Sequence, residues 1–271
     1  MPELSIRGRT LFWREQGEGP AVVLVHGFCE DSRMYDSFLR FLADAGYRVL
    51  APDLPGFGRS ATLPGATLAD YAGILEHLIR EQDLVRPVII GHSMGGYVAL
   101  EIAHRQQVVL SGLGLFHSHA YADNPETKKL RAKSAAFIRK HGLPLYLRDF
   151  FPRLFTETFV AERPYVLEQL KGWANQYDPE GVITALRAMA GREDHQDLLR
   201  QTDLPILFLL GLEDALQPKE AWLAQTHLPK TGSIHLLPGI AHMGAFEAPG
   251  KCVRIIREYL DYCQTLMTAD A

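Results

Sequence analysis

Between Val88 and Leu100 the chain reads VIIGHSMGGYVAL, which sets a serine, Ser93, between Gly91 and Gly95. An apolar, β-branched run comes before it and a helix-like stretch follows. At so sharp a strand-to-helix turn a residue with a Cβ is pushed towards the left-handed backbone region. Glycines two positions to either side remove side chains that would collide across the bend. The hydroxyl would then project above a sheet at the start of a helix, where backbone N–H groups and the helix dipole favour negative charge. A G-x-S-x-G pattern also arises by chance as a plain glycine-rich turn. Chemistry at Ser93 therefore requires a base, an acid and an oxyanion site supplied by other parts of the chain.

A serine hydroxyl is a poor nucleophile until a base accepts its proton. The chain has 11 histidines, so placement must decide among them. His242 lies in LPGIAHMGAFEAPG, a loop between the last strand-like run and the last helix. Such a loop opens on the carboxyl edge of the strands, where open α/β sheets hold their ligands. His92 sits inside the turn and would point away from the hydroxyl. His26 ends a strand beside a glycine turn and suits ordering that loop. His117 and His119 end another strand, and their H-x-H spacing lacks a third metal ligand, so no metal is expected.

An acid must fix the tautomer of the histidine and stabilise its charge. Asp214 in LLGLEDALQP follows a strand ending at Gly211 and reaches the same edge. Glu213 competes with it, but neighbouring side chains point in different directions and only one can face His242. Asp53, in APDLPGFGRS, precedes the serine and suits its own Pro/Gly turn. Two N–H groups are needed for an oxyanion. Met94, directly after Ser93, offers one, and Phe28 in HGFCED offers the other, with Gly27 letting the chain turn there. Cys29 in that loop and His117 are candidates for the pocket lining.

These residues need elements to carry them. AVVLVHG, YRVLAPD, RPVIIGH and LSGLGLFHSHA read as strands. Between them stand SRMYDSFLRFLADAG, TLADYAGILEHLIREQ with Thr67 and Asp70 as a capping pair, and MGGYVALEIAHR as helices. This βαβα alternation predicts a mainly parallel sheet covered by helices on both faces. From about Tyr121 to Asp203 only helical signals occur; LPILFLLG, a helix from about Pro218, GSIHLLPG and a final helix then resume the alternation. The expected organisation is an α/β core over 1–119 and 204–271 and a helical cap over 120–203. The cap should roof the pocket and set substrate choice. Its Tyr146, Phe150, Phe151, Phe155 and Trp173 are enough to wall a mainly apolar cavity.

The chain of 271 residues is 47% hydrophobic and 22% charged, as a soluble protein with a large core requires. A net charge of −4 gives no reason to expect nucleic acid or a membrane surface as a partner. MPELSIRGRT has no apolar signal region, and no apolar stretch approaches a membrane span. Cys29, Cys252 and Cys263 are few, odd in number and far from any zinc-type spacing, which fits a reduced cytoplasmic setting. The expected partner is a small-molecule acyl substrate, and the expected state a monomer or homodimer.

VLVHGF, APDLPGFGRS, GHSMGG, LGLEDALQP and GIAHM, in that order, resemble the α/β-hydrolase superfamily over nearly the whole chain outside the helical insertion. The resemblance implies a twisted sheet of about eight strands with a cap after the sixth. It gives Ser93, Asp214, His242, Phe28 and Met94 the roles already derived for them. LRAMAGREDHQDLLRQTDLPILFLLGLEDALQP is similar to the esterase and perhydrolase branch. Relatives that dehalogenate alkanes or open epoxides carry aspartate where this chain has Ser93. Relatives with the acid after the sixth strand need a carboxylate near Ser118, and none occurs before Asp123. The expected activity is hydrolysis of a small- to medium-chain carboxylic ester, with no cofactor. Thioester, lactone or C–C hydrolysis and perhydrolysis are alternatives on the same triad. A slowly turning ligand receptor on the same fold is the alternative from another class.

Overall fold

Continuous apolar runs become the middle of the sheet, because strands covered on both faces have no polar side to show. The computed structural model describes residues 2–6, 8–216 and 219–269. Gln217 and Pro218, which end the LGLEDALQP motif, lie outside the described residues, and with them the expected start of a helix at about Pro218. The strands are β1 (Glu3–Ile6), β2 (Arg9–Gln16), β3 (Ala21–Val25), β4 (Arg48–Pro52), β5 (Val88–His92), β6 (Gly112–Phe116), β7 (Ile206–Gly211) and β8 (Gly232–Leu237). They form one sheet in the order β1-β2-β4-β3-β5-β6-β7-β8. Only the β1–β2 and β2–β4 pairings are antiparallel; from β4 to β8 neighbours run parallel. The sheet expected from the sequence is thus present, with eight strands.

Alternation along each strand divides the core in two. Val23, Val25, Ile89, Leu113 and Phe208 face one side, packing on α2 (Leu68–Glu81) and α3 (Met94–Arg105). Val22, Leu24, Ile90, Leu207 and Leu209 face the other, against α1 (Asp36–Asp44) and the last helix. The α2 start has the expected capping box: Thr67 Oγ1 accepts the Asp70 N–H at 3.2 Å and an Asp70 carboxylate oxygen accepts the Thr67 N–H at 2.9 Å. The N-terminal hairpin, β1 with β2, has no counterpart in the sequence reading. The burial of RTLFWREQ is confined to Leu11, Phe12 and Trp13, so its charged ends hide the strand period.

Between β6 and β7 the chain builds α4 (Pro125–His141), α5 (Leu143–Phe150), α6 (Glu157–Glu162), α7 (Pro164–Ala174), α8 (Pro179–Ala190) and α9 (Gln196–Gln201). After β7 come α10 (Lys219–Gln225), α11 (Gly244–Glu247) and α12 (Pro249–Ala269), with β8 between α10 and α11. Because β3, β5, β6, β7 and β8 are parallel, the segments after them all open on one edge. His26, Ser93, His117, Asp214 and His242 lie on those five segments. Among the described residues no helix is long and apolar enough to cross a membrane.

Candidate active site

Ser93 joins β5 directly to α3 with φ 50° and ψ −114°, the strained turn that its flanking glycines suggested. Such a conformation costs on the order of 1–3 kcal/mol, so the surroundings must hold it. They do: the Ser93 N–H donates to Phe116 O at 2.9 Å, and the Ser93 carbonyl accepts the Gly96 N–H at 2.9 Å and the Ser118 hydroxyl at 2.8 Å. The glycines answer to backbone, not to each other's side chains. A Cβ on Gly91 would stand 2.2 Å from the Gly95 carbonyl group, and one on Gly95 2.2 Å from Val25 O of β3.

Asp214 and His242 come together from the β7 and β8 segments. His242 Nδ1 lies 2.7 Å from Asp214 Oδ2, and both side chains are almost wholly buried. Burial alone would raise the Asp214 carboxyl, but the charge and hydrogen bond of His242 outweigh it, aided by His117 and the Leu216 N–H. The net result is a carboxyl held below its usual range. An ionised carboxylate can only accept, so the proton sits on Nδ1 and the Nε2 lone pair is left to act. Glu213 is exposed and borders a separate surface groove with Glu247 and Phe155. Asp53 accepts the Ser32 and Arg59 N–H groups, each at 2.8 Å, and orders its own turn.

The other histidines are engaged elsewhere. His26 Nε2 accepts the Leu54 N–H at 2.8 Å, tying two loops. His92 reaches Glu30 Oε2 at 2.9 Å with Nδ1 and the His242 carbonyl at 2.8 Å with Nε2. Burial would lower His92 and raise Glu30, but their mutual charge prevails: His92 is raised and Glu30 lowered, a buried ion pair. Glu30 also accepts the Gly27 N–H at 2.7 Å, so this pair locks the Gly27–Phe28 loop to the loop carrying His242. Removing one partner of such a pair leaves an uncompensated buried charge and costs about 3–5 kcal/mol. Glu30→Gln should therefore lower the unfolding free energy by about 3 kcal/mol in chemical denaturation. A loss under about 1 kcal/mol would contradict the ion-pair assignment.

Neither the Phe28 nor the Met94 N–H donates to another described residue. Met94 is the first residue of α3, whose leading N–H groups have no intrahelical acceptor. Met94 follows Ser93 directly, and Phe28 and Ser93 border one cavity. The Phe28 ring packs edge-on against Phe150 and Tyr146, with centroids 5.5 and 6.4 Å away, linking this loop to α5.

A cavity of about 480 Å³ lies over the strand edge, and its lining includes Ser93, His242, Phe28, Tyr146, Phe150 and Trp222. The other five residues expected in the wall do not line it: Phe151 is buried in the core, Phe155 borders the groove beside Glu213, and the remaining three lie elsewhere. Cys29 is buried at φ 62° in the turn behind Phe28, and burial pushes its thiol well up. His117 lies beneath the acid, its Nδ1 accepting the Gly211 N–H at 3.1 Å and standing 3.8 Å from Asp214 Oδ2. Trp173 packs under the Arg33 guanidinium at 4.5 Å, away from the cavity. The wall is also less apolar than the sequence suggests, since Asp123, Arg131, Arg192 and His119 line it too. Nothing in the local sequence marks Arg131 or Arg192 as functional. Arg131 sits in PETKKLRAKSAAFIRKH, indistinguishable there from the solvated face of a charged helix.

A model of the alpha/beta hydrolase family matches residues 22–255. A thermophilic esterase from Thermogutta terrifontis is 34% identical, with a TM-score of 0.91, over 97% of this chain and 98% of that one. The (E)-2-((N-methylformamido)methylene)succinate hydrolase of Acinetobacter baylyi is 24% identical over 93% of this chain and 95% of its own length. A pimeloyl-[acyl-carrier protein] methyl ester esterase of Vibrio vulnificus is 27% identical over 77% of this chain and 81% of its own.

Proposed function

The chain belongs to the alpha/beta hydrolase family, and from that premise we propose a serine hydrolase that cleaves small- to medium-chain carboxylic esters through an acyl-enzyme. The observation that carries the reading is the 2.7 Å bond between Asp214 and His242, with His242 opening on the cavity that Ser93 also lines. Esterases among the similar proteins support the ester as substrate.

His242 Nε2 takes the Ser93 proton as Oγ adds to the acyl carbonyl. The Phe28 and Met94 N–H groups receive the oxyanion, and Asp214 balances the imidazolium charge. The intermediate collapses, His242 returns the proton to the alkoxide oxygen, and the alcohol leaves. Water then repeats the sequence: His242 removes its proton, the acyl–serine bond breaks, and the acid departs with Ser93 reprotonated. The proposed setting is cytoplasmic.

The deciding experiment is a turnover screen over acyl esters, thioesters, lactones and peracid formation. Esters should be cleaved fastest; a preference of tenfold or more for another class would replace the ester reading. Ester kcat/KM should rise with pH along one proton-loss step, because only a neutral imidazole accepts the Ser93 proton. A rate flat from acid to alkaline pH would contradict His242 as base. Acyl length is a further test of the roof made by α4, α5 and α8. Acetyl to hexanoyl nitrophenyl esters should give higher kcat/KM than dodecanoyl or longer ones, since long chains need an open groove. Preference for emulsified long-chain substrates would refute a closed roof.

A further inference from the structure

The cavity has a second, charged end. Asp123, on the segment after β6, is bound by two arginines at once. Arg131 of α4 donates Nε and Nη2 to its two oxygens, and Arg192, just beyond α8, donates Nη1 to one of them. Arg192 also donates Nε to Tyr121 O at 2.9 Å and Nη1 to Met189 O at 3.0 Å. Its guanidinium carbon sits 4.0 Å from the Tyr97 ring centroid, which fixes the plane of the fork.

This group does not balance. Two guanidiniums stand against one carboxylate, leaving one positive charge in excess where the Arg192 and Asp123 side chains are 4% and 2% exposed and that of Arg131 is 20% exposed. The other carboxylate lining the cavity, Glu30, is committed to His92 and the Gly27 N–H. Of the nearby groups, His119 is pulled down to about 3 by burial and by the Arg192 charge, with Arg131 adding to it, so it stays neutral. Donors are also in surplus. Arg192 Nη2 bonds to no described residue, and Arg131 Nη1 meets only the Met189 sulfur at 3.3 Å, a weak acceptor. A device meant only to tie α4 to the segment after α8 needs one arginine per carboxylate. An excess buried cation is costly unless an anion joins it.

We propose that Arg131 and Arg192 hold a carboxylate of the substrate, so that this hydrolase prefers esters bearing a free carboxylate over neutral esters of the same length. The anion enters opposite Asp123, taking the unused guanidinium N–H groups as a forked pair of charge-assisted hydrogen bonds, while the ester carbonyl rests over Ser93. The proposal builds on the ester-hydrolase reading and specifies its substrate class.

Matched methyl esters test it by acid release in a pH-stat: monomethyl glutarate and monomethyl adipate against methyl pentanoate and methyl hexanoate. A second pair moves the charge to the alcohol side, 4-acetoxybutanoate against butyl acetate. In at least one series the anion should win in kcat/KM by on the order of tenfold to a hundredfold. Arg131→Gln and Arg192→Gln should each bring that ratio towards one, the loss in kcat/KM falling on the anionic ester far more than on the neutral one. A structural tie would lower Tm and leave the ratio alone. Neutral esters preferred in both series, or a ratio surviving both substitutions, overturns the proposal. Should the variants not fold, glutarate must raise the Tm of the parent protein where the neutral, non-hydrolysable 1,5-pentanediol does not; equal effects overturn the carboxylate site. If no ester at all is cleaved, the ester reading fails by itself, and the glutarate shift still decides the arginine site.

Discussion

Ser93→Ala should lower ester turnover by on the order of 10⁴-fold or more while leaving Tm within a few degrees. The alanine keeps the Cβ that already occupies the turn at φ 50°, and the three bonds that hold it use backbone atoms of residue 93. Only the hydroxyl is lost, and with it the acyl-enzyme route. The same hydroxyl should be the one labelled rapidly by a fluorophosphonate probe, because only a serine beside a base and oxyanion donors attacks such a reagent. The measurement is peptide mapping of the labelled protein together with kcat of the variant. Labelling of another serine, or turnover within tenfold of the parent, would sink the mechanism.

Asp214→Asn should cost about 10³–10⁴ in kcat, whereas Glu213→Gln should stay within about twofold. The two carboxylates are adjacent in sequence, and the backbone aims them in different directions. Asp214 meets His242 Nδ1 at 2.7 Å and is held ionised; Glu213 is exposed on another surface. An asparagine can present its amide N–H to Nδ1, which drives the proton to Nε2 and removes the lone pair that Ser93 needs. The loss should therefore fall on kcat more than on KM, and should ease as pH rises. Equal damage from both substitutions, or greater damage from Glu213→Gln, would move the acid.

The sheet and the turn at Ser93 were legible from short-range signals. Runs such as AVVLV and VIIGH are apolar at every position because both faces are covered, and that pattern needs no knowledge of distant residues. Ser93 likewise announces itself locally, since the glycines that permit its turn lie two positions away. The hairpin of β1 and β2 escaped because an edge strand with charged ends loses the strand period. Cys29, His117 and Trp173 were expected in the wall and are not there, for a related reason: a segment can be placed on an edge from sequence, but the side-chain direction within it cannot. His117 turns beneath Asp214 because Gly211 offers it an N–H at 3.1 Å, a contact across 94 positions of chain. The choice between Asp214 and Glu213 is of the same kind.

What the sequence by itself determined is the identity and order of the groups on the sheet's carboxyl edge, because strand, turn and helix propensities act over a few residues. What only the tertiary structure decided is the other end of the cavity. Asp123, Arg131 and Arg192 lie on three separate segments, and each reads locally as an ordinary surface residue. Their meaning is electrostatic: a buried and a partly buried cation stand against one anion, and that imbalance arises only when packing brings the three together and removes most of the water that would otherwise screen them.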